Sequence, residues 1–599
     1  MDKEATIKEV QEYCSRDLTK EKYTDILLRH RKYKKVREDL LEGKDRIRVA
    51  VLGSKSIQFF VSVFEMEAFA KGIYTDIYEG EYDGILSDIM DEGSALYAFK
   101  PDFVILLTHH TDIKVYPKPL ASKEEIEEWL SSQTAFYKDL YTKLSKTGCT
   151  VLQSLFVSPI ERQYDQLEES LPYSARNCIN MLNQRLCSEK PDFVHYIDLN
   201  YVAEYVGKSL WFDERNYYLN KAGFSYEYLP LAAQRFVSRI ESLSGRTRKC
   251  VVLDLDNTLW GGVVGDLGYD GINLNPNDAI GESYLAFQEY LLKLKQRGII
   301  LAVCSKNDDD IAKEAFEKNP FMKIALNDIA CFKANWDDKA SNIRAIAEEL
   351  NIGRDSLVFV DDNPAERQIV KQFVPEVTVI DLPEDPALYV RALNEAMCFD
   401  WPAITKEDIS RVDSYRDNAK RNALLASGID YDDYLRSLEM SGKASTVTDK
   451  EIERFVQLTN KSNQFNLRTQ RITEAQVRQF EEGGSAACIA VRLSDCFSDY
   501  GIIGCVILEK QGSDCFIYNW LQSCRVLKRG VEDFTLNALV KEAKKLGCTR
   551  LIGEYIQSPK NRMVENFYTE KGFTALGDNR YALELDTYTD RENHIRETE

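Results

Sequence analysis

Histidine is scarce: His30, His109, His110, His195 and His594 are the only five in 599 residues, and none lies between residues 196 and 593. Chemistry in that long span must therefore run on carboxylates, thiols, hydroxyls and amines rather than on imidazole acid/base pairs. No apolar run reaches the roughly 18 residues a membrane-crossing helix needs, so no span is expected. Met1 is followed by a charged, helix-like stretch instead of an apolar one, which argues against a signal peptide. The fourteen cysteines include no C-x-x-C pair and no zinc-type spacing, and they read as reduced thiols of a cytoplasmic protein. Neither an internal repeat nor a low-complexity segment is visible. The net charge of −20 disfavours general binding to nucleic acid or to an anionic membrane. One stretch runs against that balance, Arg525 to Arg562, with nine Lys or Arg and four Asp or Glu. It reads either as a solvated helix face or as a docking patch for an acidic or phosphate-bearing partner.

What is present suggests an α/β protein of several domains. At roughly 150 residues per domain the length calls for about three or four. Residues 1–45 are charged and helix-like, with Leu27, Leu28, Leu40 and Leu41 on one stripe. Apolar segments Arg48–Leu52, Phe103–Leu107, Thr150–Val157 and His195–Leu199 alternate with helical ones and define an α/β domain over 46–245. A second spans 248–385, with strands expected at Cys250–Leu255, Ile299–Cys304, Leu357–Asp361 and Val377–Ile380. A helical connector fills 386–440. A third domain covers 441–588, with strands near Ala487–Leu493, Gly501–Glu509, Asp514–Trp520 and Arg550–Tyr555. The tail, 589–599, is polar and expected to fray.

The richest motif is Val251-Val252-Leu253-Asp254-Leu255-Asp256-Asn257-Thr258. Residues i and i+2 of a strand share a face, so Asp254 and Asp256 are expected to meet at one strand end. Two such carboxylates repel unless a cation or proton lies between them, and magnesium suits carboxylate oxygens. A strand end with merely solvated acids is the plainer reading, but two more strand ends and a helix start oppose it. Ser305-Lys306-Asn307 follows an apolar strand, Lys339 opens a predicted helix over Lys339–Leu350, and Asp361-Asp362-Asn363-Pro364 follows Val358–Val360. Ligands of open α/β sheets collect at such carboxyl ends.

These four motifs, in order over about 130 residues, resemble the haloacid dehalogenase (HAD) superfamily of phosphotransferases. The resemblance implies a phosphoryl nucleophile at Asp254, a general acid/base at Asp256, and phosphate holders at Ser305 and Lys339, with Lys333 a weaker candidate for the lysine role. It also implies a Mg²⁺ site formed by Asp361, supported by Asp362, with Asp254 and the backbone carbonyl of Asp256. About 45 residues separate the first and second motifs and about 33 the second and third, too few for a large lid domain. An uncapped site favours a bulky substrate or a covering domain over a lone small metabolite.

The flanks Trp260-Gly261-Gly262-Val263-Val264, Trp336-Asp337-Asp338-Lys339-Ala340-Ser341-Asn342-Ile343 and Asp361 to Arg367 resemble the FkbH-like branch of that superfamily. So do Leu458-Thr459-Asn460-Lys461-Ser462-Asn463-Gln464-Phe465-Asn466-Leu467 and Ser523 to Gly530. This implies transfer of a glyceryl group from a phosphorylated acyl donor, 1,3-bisphosphoglycerate, to the phosphopantetheine thiol of an acyl carrier protein. A HAD phosphatase acting on a sugar phosphate or phosphoprotein, with the flanking domains as adaptors, and a non-catalytic scaffold are the other readings. The intact set Asp254, Asp256, Ser305, Lys339 and Asp361 argues against the scaffold. An acyl phosphate attacked at phosphorus gives a free carboxylate, whereas thiolate attack at the carbonyl carbon keeps the acyl group activated, so thioester formation requires a thiol. Cys304, beside Ser305, and Cys524, beside Arg525 and Arg529, are the enzyme's candidates; the carrier's own thiol is the third.

Arg525, Arg529 and Gly530 precede a predicted helix, Glu532–Lys545, and basic loops there bind anions. The segment resembles the pyrophosphate loop of GNAT acyltransferases, with Lys528 where that loop has a glycine. Gly53-Ser54-Lys55-Ser56 resembles the serine turn of SGNH hydrolases, but Trp211 to Arg215 contains no histidine, so this domain is expected to be non-hydrolytic and to dock a partner or cover the central site. A metal pair at His109-His110 is disfavoured, because neighbours on a strand face opposite ways. The resemblances together imply a three-domain α/β architecture: an N-terminal flavodoxin-like, SGNH-like domain, a central HAD-type Rossmannoid parallel sheet, and a C-terminal GNAT-like α+β domain.

Overall fold

The computed structural model describes residues 3–404, 406–409, 430–462, 465–482, 484–523, 526–558 and 561–598. They form two compact units, Met1–Glu241 and Ser242–Glu599.

The first unit is a parallel sheet covered by helices. Strands β1 (Arg46–Gly53), β2 (Tyr74–Glu79), β3 (Phe103–Leu107), β4 (Thr150–Ser154) and β5 (Val194–Ile197) lie in the order β2-β1-β3-β4-β5, all parallel. The inner strands are continuous apolar runs because helices bury both faces. β2 escaped the sequence reading: as an edge strand it carries the mixed sequence Tyr-Thr-Asp-Ile-Tyr-Glu. The N-terminal helices Lys3–Cys14 and Tyr23–Leu40 belong to this unit. Glu65, buried on helix Gln58–Ala70, binds His30 Nε2 at 2.8 Å, Lys34 Nζ at 2.9 Å and Arg37 Nε at 3.1 Å.

The second unit begins with another parallel sheet. Strands β6 (Cys250–Leu253), β7 (Ile300–Ser305), β8 (Ile329–Ala334), β9 (Leu357–Asp361) and β10 (Thr378–Asp381) run in the order β10-β9-β6-β7-β8. The first motif thus sits on the central strand, flanked by the strands that end in Asp361 and Ser305. Separate apolar clusters pack on the two faces. β8, a half-buried edge strand containing Lys333, was not legible from the sequence pattern.

A mostly antiparallel sheet follows. Its strands are β11 (Ser441–Thr446), β12 (Phe465–Asn466), β13 (Ala486–Ser494), β14 (Asp499–Gln511), β15 (Asp514–Gln522), β16 (Arg550–Glu554), β17 (Thr574–Gly577), β18 (Arg580–Glu584) and β19 (Arg596–Glu597). The order is β17-β18-β16-β15-β14-β13-β11-β19, and β12 pairs with β15. β15 and β16 are parallel over only three residue pairs, Asp514↔Arg550 to Phe516↔Ile552. The tail does not fray as expected. Arg596 and Glu597 pair with Ser441 and Gly442, and His594 Nε2 meets Asp432 Oδ1 at 2.9 Å. Much of the expected helical connector, 405 and 410–429, lies outside the described residues; Tyr389–Glu395 and Tyr431–Ser437 are helical. Among the described residues no helix is long and apolar enough to cross a membrane.

Candidate active site

The ends of β6 and β9 bring three acids together. Carboxylate oxygens of Asp254, Asp361 and Asp362 all lie within 4.8 Å of one another. Asp254 continues the sheet, its N–H donating to Val360 O at 3.0 Å. Lys339 enters from the first turn of helix Lys339–Glu349, whose N-cap Asp338 accepts from Ser341 N. Its Nζ lies 2.9 Å from Asp254 Oδ1 and 2.5 Å from Asp361 Oδ2. Lys339 is 3% exposed and Asp361 0%.

Burial and the Asp254 charge push the Asp361 carboxyl up to about 6, against the pull of Lys339. Asp362 is raised by the same two causes. Burial draws the Lys339 ammonium down, and Asp254 and Asp361 more than offset it, so it stays charged. One ammonium against three carboxylates leaves an excess of about two negative charges at full ionisation, which a divalent ion neutralises. All three donors are hard oxygens, the set magnesium prefers. The residues present therefore fit Mg²⁺.

The Asp256 side chain is not part of this trio. Its Oδ1 accepts from Trp260 Nε1 and Val264 N, each at 2.9 Å, and its Oδ2 accepts from Asn307 Nδ2 at 2.9 Å. The i+2 rule fails here because β6 ends at Leu253 and the chain turns, with Asn257 at φ +54°. A part for Asp256 in holding a metal rests on its backbone carbonyl. Asn307 also donates to Ser305 Oγ at 3.1 Å, which joins the second motif to the first. Thr258 Oγ1 accepts from Asp362 N at 3.1 Å.

Several positioning residues carried weak or no sequence signal. Arg367 Nη1 donates to the backbone oxygens of Asp361 and Asp362, both at 2.7 Å. Tyr389 and Tyr284 hydroxyls both donate to Asn257 O, at 3.0 and 3.3 Å. Arg367 and Asn307 lie inside the motif stretches and were open to notice; nothing local marks Tyr389.

Two expected candidates are turned away. Cys304 alternates with Ser305 on β7, so its sulfur faces the opposite side, fully buried and 3.8 Å from Lys339 O. Burial pushes its thiol far above the ordinary range, which makes it a core residue and not a nucleophile. Lys333 pairs with Glu349 at 2.6 Å, outside the acid trio. Cys524 and Arg525 lie outside the described residues.

The basic loop of the last sheet is already occupied by the chain itself. Arg529 Nη1 donates to Tyr500 OH at 2.6 Å and lies 3.5 Å from Asp495 Oδ2, an internal pairing that overturns the expectation of an open anion ligand. Gly530 is the N-cap of helix Val531–Lys545 at φ +78°, and Lys528 adopts φ +62°. The Glu532 carboxylate accepts from Gln522 Nε2 at 3.1 Å, and the backbone N–H groups of Lys528 and Glu532 favour its charged form, where an external anion was expected. The gap between β15 and β16 is also bridged. Leu467 N donates to Trp520 O at 3.0 Å, Ile556 N to Leu467 O at 2.9 Å, and Asn561 Nδ2 to Asn466 O at 2.8 Å.

Residues 48–241 match the family described as FkbH, N-terminal domain. The N-terminal part of the protein BF1531 from Bacteroides fragilis, containing a phosphatase domain complexed with Mg, is 32% identical with a TM-score of 0.58. The match covers 64% of this chain and 100% of that one. The GNAT domain of S. lividans PAT is 16% identical over 24% of this chain and 89% of that one, with a TM-score of 0.19. The ribosomal-protein-S18-alanine N-acetyltransferase from Escherichia coli is 13% identical over 25% and 98%, with a TM-score of 0.20. No curated protein matches the chain. With Asp254, Ser305 and Asp361 at adjoining strand ends, Lys339 reaching two of them from a helix start, and 32% identity over the whole Bacteroides structure, the chain is an enzyme of the HAD superfamily and belongs to its FkbH-like family.

Proposed function

We propose that the protein is a magnesium-dependent transferase that moves a glyceryl-type acyl unit from an acyl phosphate, of the 1,3-bisphosphoglycerate kind, to the phosphopantetheine thiol of an acyl carrier protein. The observation that carries it is the convergence of Asp254, Asp361 and Asp362 around Lys339. Asp254, Asp361 and Asp362 would hold Mg²⁺. The bound ion supplies positive charge that lets an anionic phosphate approach an anionic site. The related Bacteroides domain is described as complexed with Mg, which supports the same ion here.

Ser305, oriented by Asn307, offers a hydroxyl to a phosphate oxygen, and Lys339 supplies a fixed cation beside it. Asp254 organises the site without attacking phosphorus, because that attack would release the acyl group as an inactive carboxylate. A thiolate sulfur adds to the carbonyl carbon, the bond from carbon to the phosphate oxygen breaks, and inorganic phosphate departs. With Cys304 buried in the core, the thiolate comes from the carrier itself or from Cys524. All thirteen described cysteines are free thiols, which fits a cytoplasmic setting.

The test is to incubate the protein with magnesium, 1,3-bisphosphoglycerate and a holo carrier protein and then weigh the carrier. A gain of one glyceryl unit supports transfer. Phosphate release with an unloaded carrier favours a second reading, a phosphatase acting on a sugar phosphate or phosphoprotein, which the phosphatase domain of the Bacteroides protein suggests.

A further inference from the structure

The first unit has a polar crevice of its own. Its strand order reverses between β1 and β3, and open α/β sheets take ligands outside the carboxyl ends of their strands at such points. The loops after β1, β3 and β4 carry Ser54, Lys55, His110, Asp112 and Ser158 there, and the short helix Lys208–Trp211 adds Lys208. The charges of Glu161, Asp112, Lys55 and Lys208 all bear on the His110 ring.

Part of this crevice is satisfied internally. Asp112 Oδ1 accepts from Lys55 Nζ at 3.0 Å, and its Oδ2 accepts from Ser54 Oγ and from His109 N, each at 2.8 Å. The Ser54 hydroxyl thus donates to a carboxylate that is itself held by Lys55, and not to an imidazole. His109 Nδ1 meets the Thr111 hydroxyl at 2.9 Å and accepts from Thr111 N at 3.3 Å. Burial pushes that ring down to about 2, so it is neutral.

The rest is not satisfied. The Lys208 amine is half-buried and donates to Ser158 Oγ. No described carboxylate lies within ion-pair distance of it. Two carboxylates, Glu204 and Glu169, act on it from beyond that distance, and Glu169 is shared with Arg162 and Arg176, at 3.7 and 3.0 Å. Burial, followed by Arg176, holds its ammonium below the usual range. Ser158 is 1% exposed and, with its oxygen accepting from Lys208, keeps a free O–H to donate. His110 Nδ1 is buried without a hydrogen-bond partner, and Phe212 packs edge-on to its ring at 5.3 Å. A partly desolvated ammonium whose one direct partner is a hydroxyl, and a buried ring nitrogen with none, are each unfavourable unless something supplies the missing partners.

We propose that this crevice is a binding site for a small oxyanion, the phosphate or carboxylate group of a metabolite, held by Lys208, Ser158 and His110. It needs nothing from the acid cluster of the second unit and stands whether or not the acyl-transfer reading holds.

The experiment reads Lys208 itself. The full-length protein is treated with a limiting amine-acylating reagent, and Lys208 and Lys55 labelling are followed by peptide mass spectrometry with inorganic phosphate, with acetate, or with chloride at matched ionic strength. Phosphate or acetate slows Lys208 labelling by about tenfold, saturably, and leaves Lys55 unchanged; the stronger of the two identifies the group bound. Ser158→Ala and His110→Phe each shift the protecting concentration upward by about tenfold, judged on variants that keep the wild-type melting temperature. Equal labelling in all three salts overturns the site. So does protection by chloride to the same extent, or protection unchanged in both variants.

Discussion

Lys339 Nζ lies 2.5 Å from Asp361 Oδ2, a contact between the first turn of one helix and the last residue of a buried strand, 22 positions apart. The same amine reaches Asp254 at 2.9 Å. Lys339 is thus the cation that allows two buried acids to approach, and a metal ion would act on a charge balance that the chain has already partly set.

Replacing Lys339 by Met removes that cation while roughly conserving volume. In chelator the variant is expected to be less stable by about 3–5 kcal/mol, the usual cost of leaving buried charge uncompensated. Magnesium restores part of the loss. Urea unfolding with and without the ion checks this, and an unchanged midpoint in chelator would refute the assigned role.

Magnesium is expected to raise the melting temperature of the wild type in proportion to occupancy. Asp361→Asn removes one donor and most of that rise. Asp254→Asn abolishes acyl transfer and phosphate release alike; a variant that retains full turnover would sink the site. Thermal melts in chelator-treated buffer and a phosphate assay give both answers.

Cys304→Ala should cost about 1 kcal/mol for the small cavity and leave carrier loading within about twofold of wild type. Cys524→Ala abolishes loading only if that thiol relays the acyl group. Mass spectrometry of the carrier after single-turnover reaction separates the two, and loss of loading in Cys304→Ala would reverse the assignment of its sulfur to the core.

Glu67, in the first unit, provides a pH test that does not involve the acid cluster. It is buried on helix Gln58–Ala70, and burial pushes its carboxyl up to about 7 from 4.5. The folded state therefore binds the proton more tightly than the unfolded chain. The stability this contributes is complete below the unfolded value of 4.5 and is lost as pH rises through about 7. Glu67→Gln keeps the neutral form at every pH, so it should match wild type below about pH 4.5 and exceed it by about 2–3 kcal/mol above about pH 8. Parallel stability curves for the two proteins across that range would rule it out.

In the last sheet, coenzyme A is expected to leave the melting temperature unchanged, because Leu467 and Glu532 already occupy the β15–β16 gap and the loop N–H groups. Asn561→Ala breaks the link from Asn561 Nδ2 to Asn466 O, buried at both ends, and should cost about 2–3 kcal/mol. Saturable stabilisation of the wild type by coenzyme A would contradict this.

The apolar runs that marked β1, β3, β4, β6, β7 and β9 are inner strands, buried on both faces, so composition alone revealed them. Edge strands β2 and β8 and the short β12 and β19 are half-polar or two residues long, and no period stands out in them. Asp254, Ser305, Lys339 and Asp361 were legible because each adjoins a recognisable strand or helix end. The orientation of Asp256 was not, because the alternation rule holds only while a strand continues and β6 stops at Leu253.

Sequence by itself determined which segments are buried strands and which acids lie at their ends, since burial writes itself into local composition. Only the tertiary structure decided which of those acids share a site, which way Cys304 faces, and that Tyr389 holds the Asn257 carbonyl from 132 residues away. Those are meetings between distant parts of the chain, and a contact of that kind leaves no period or spacing in the residues that make it.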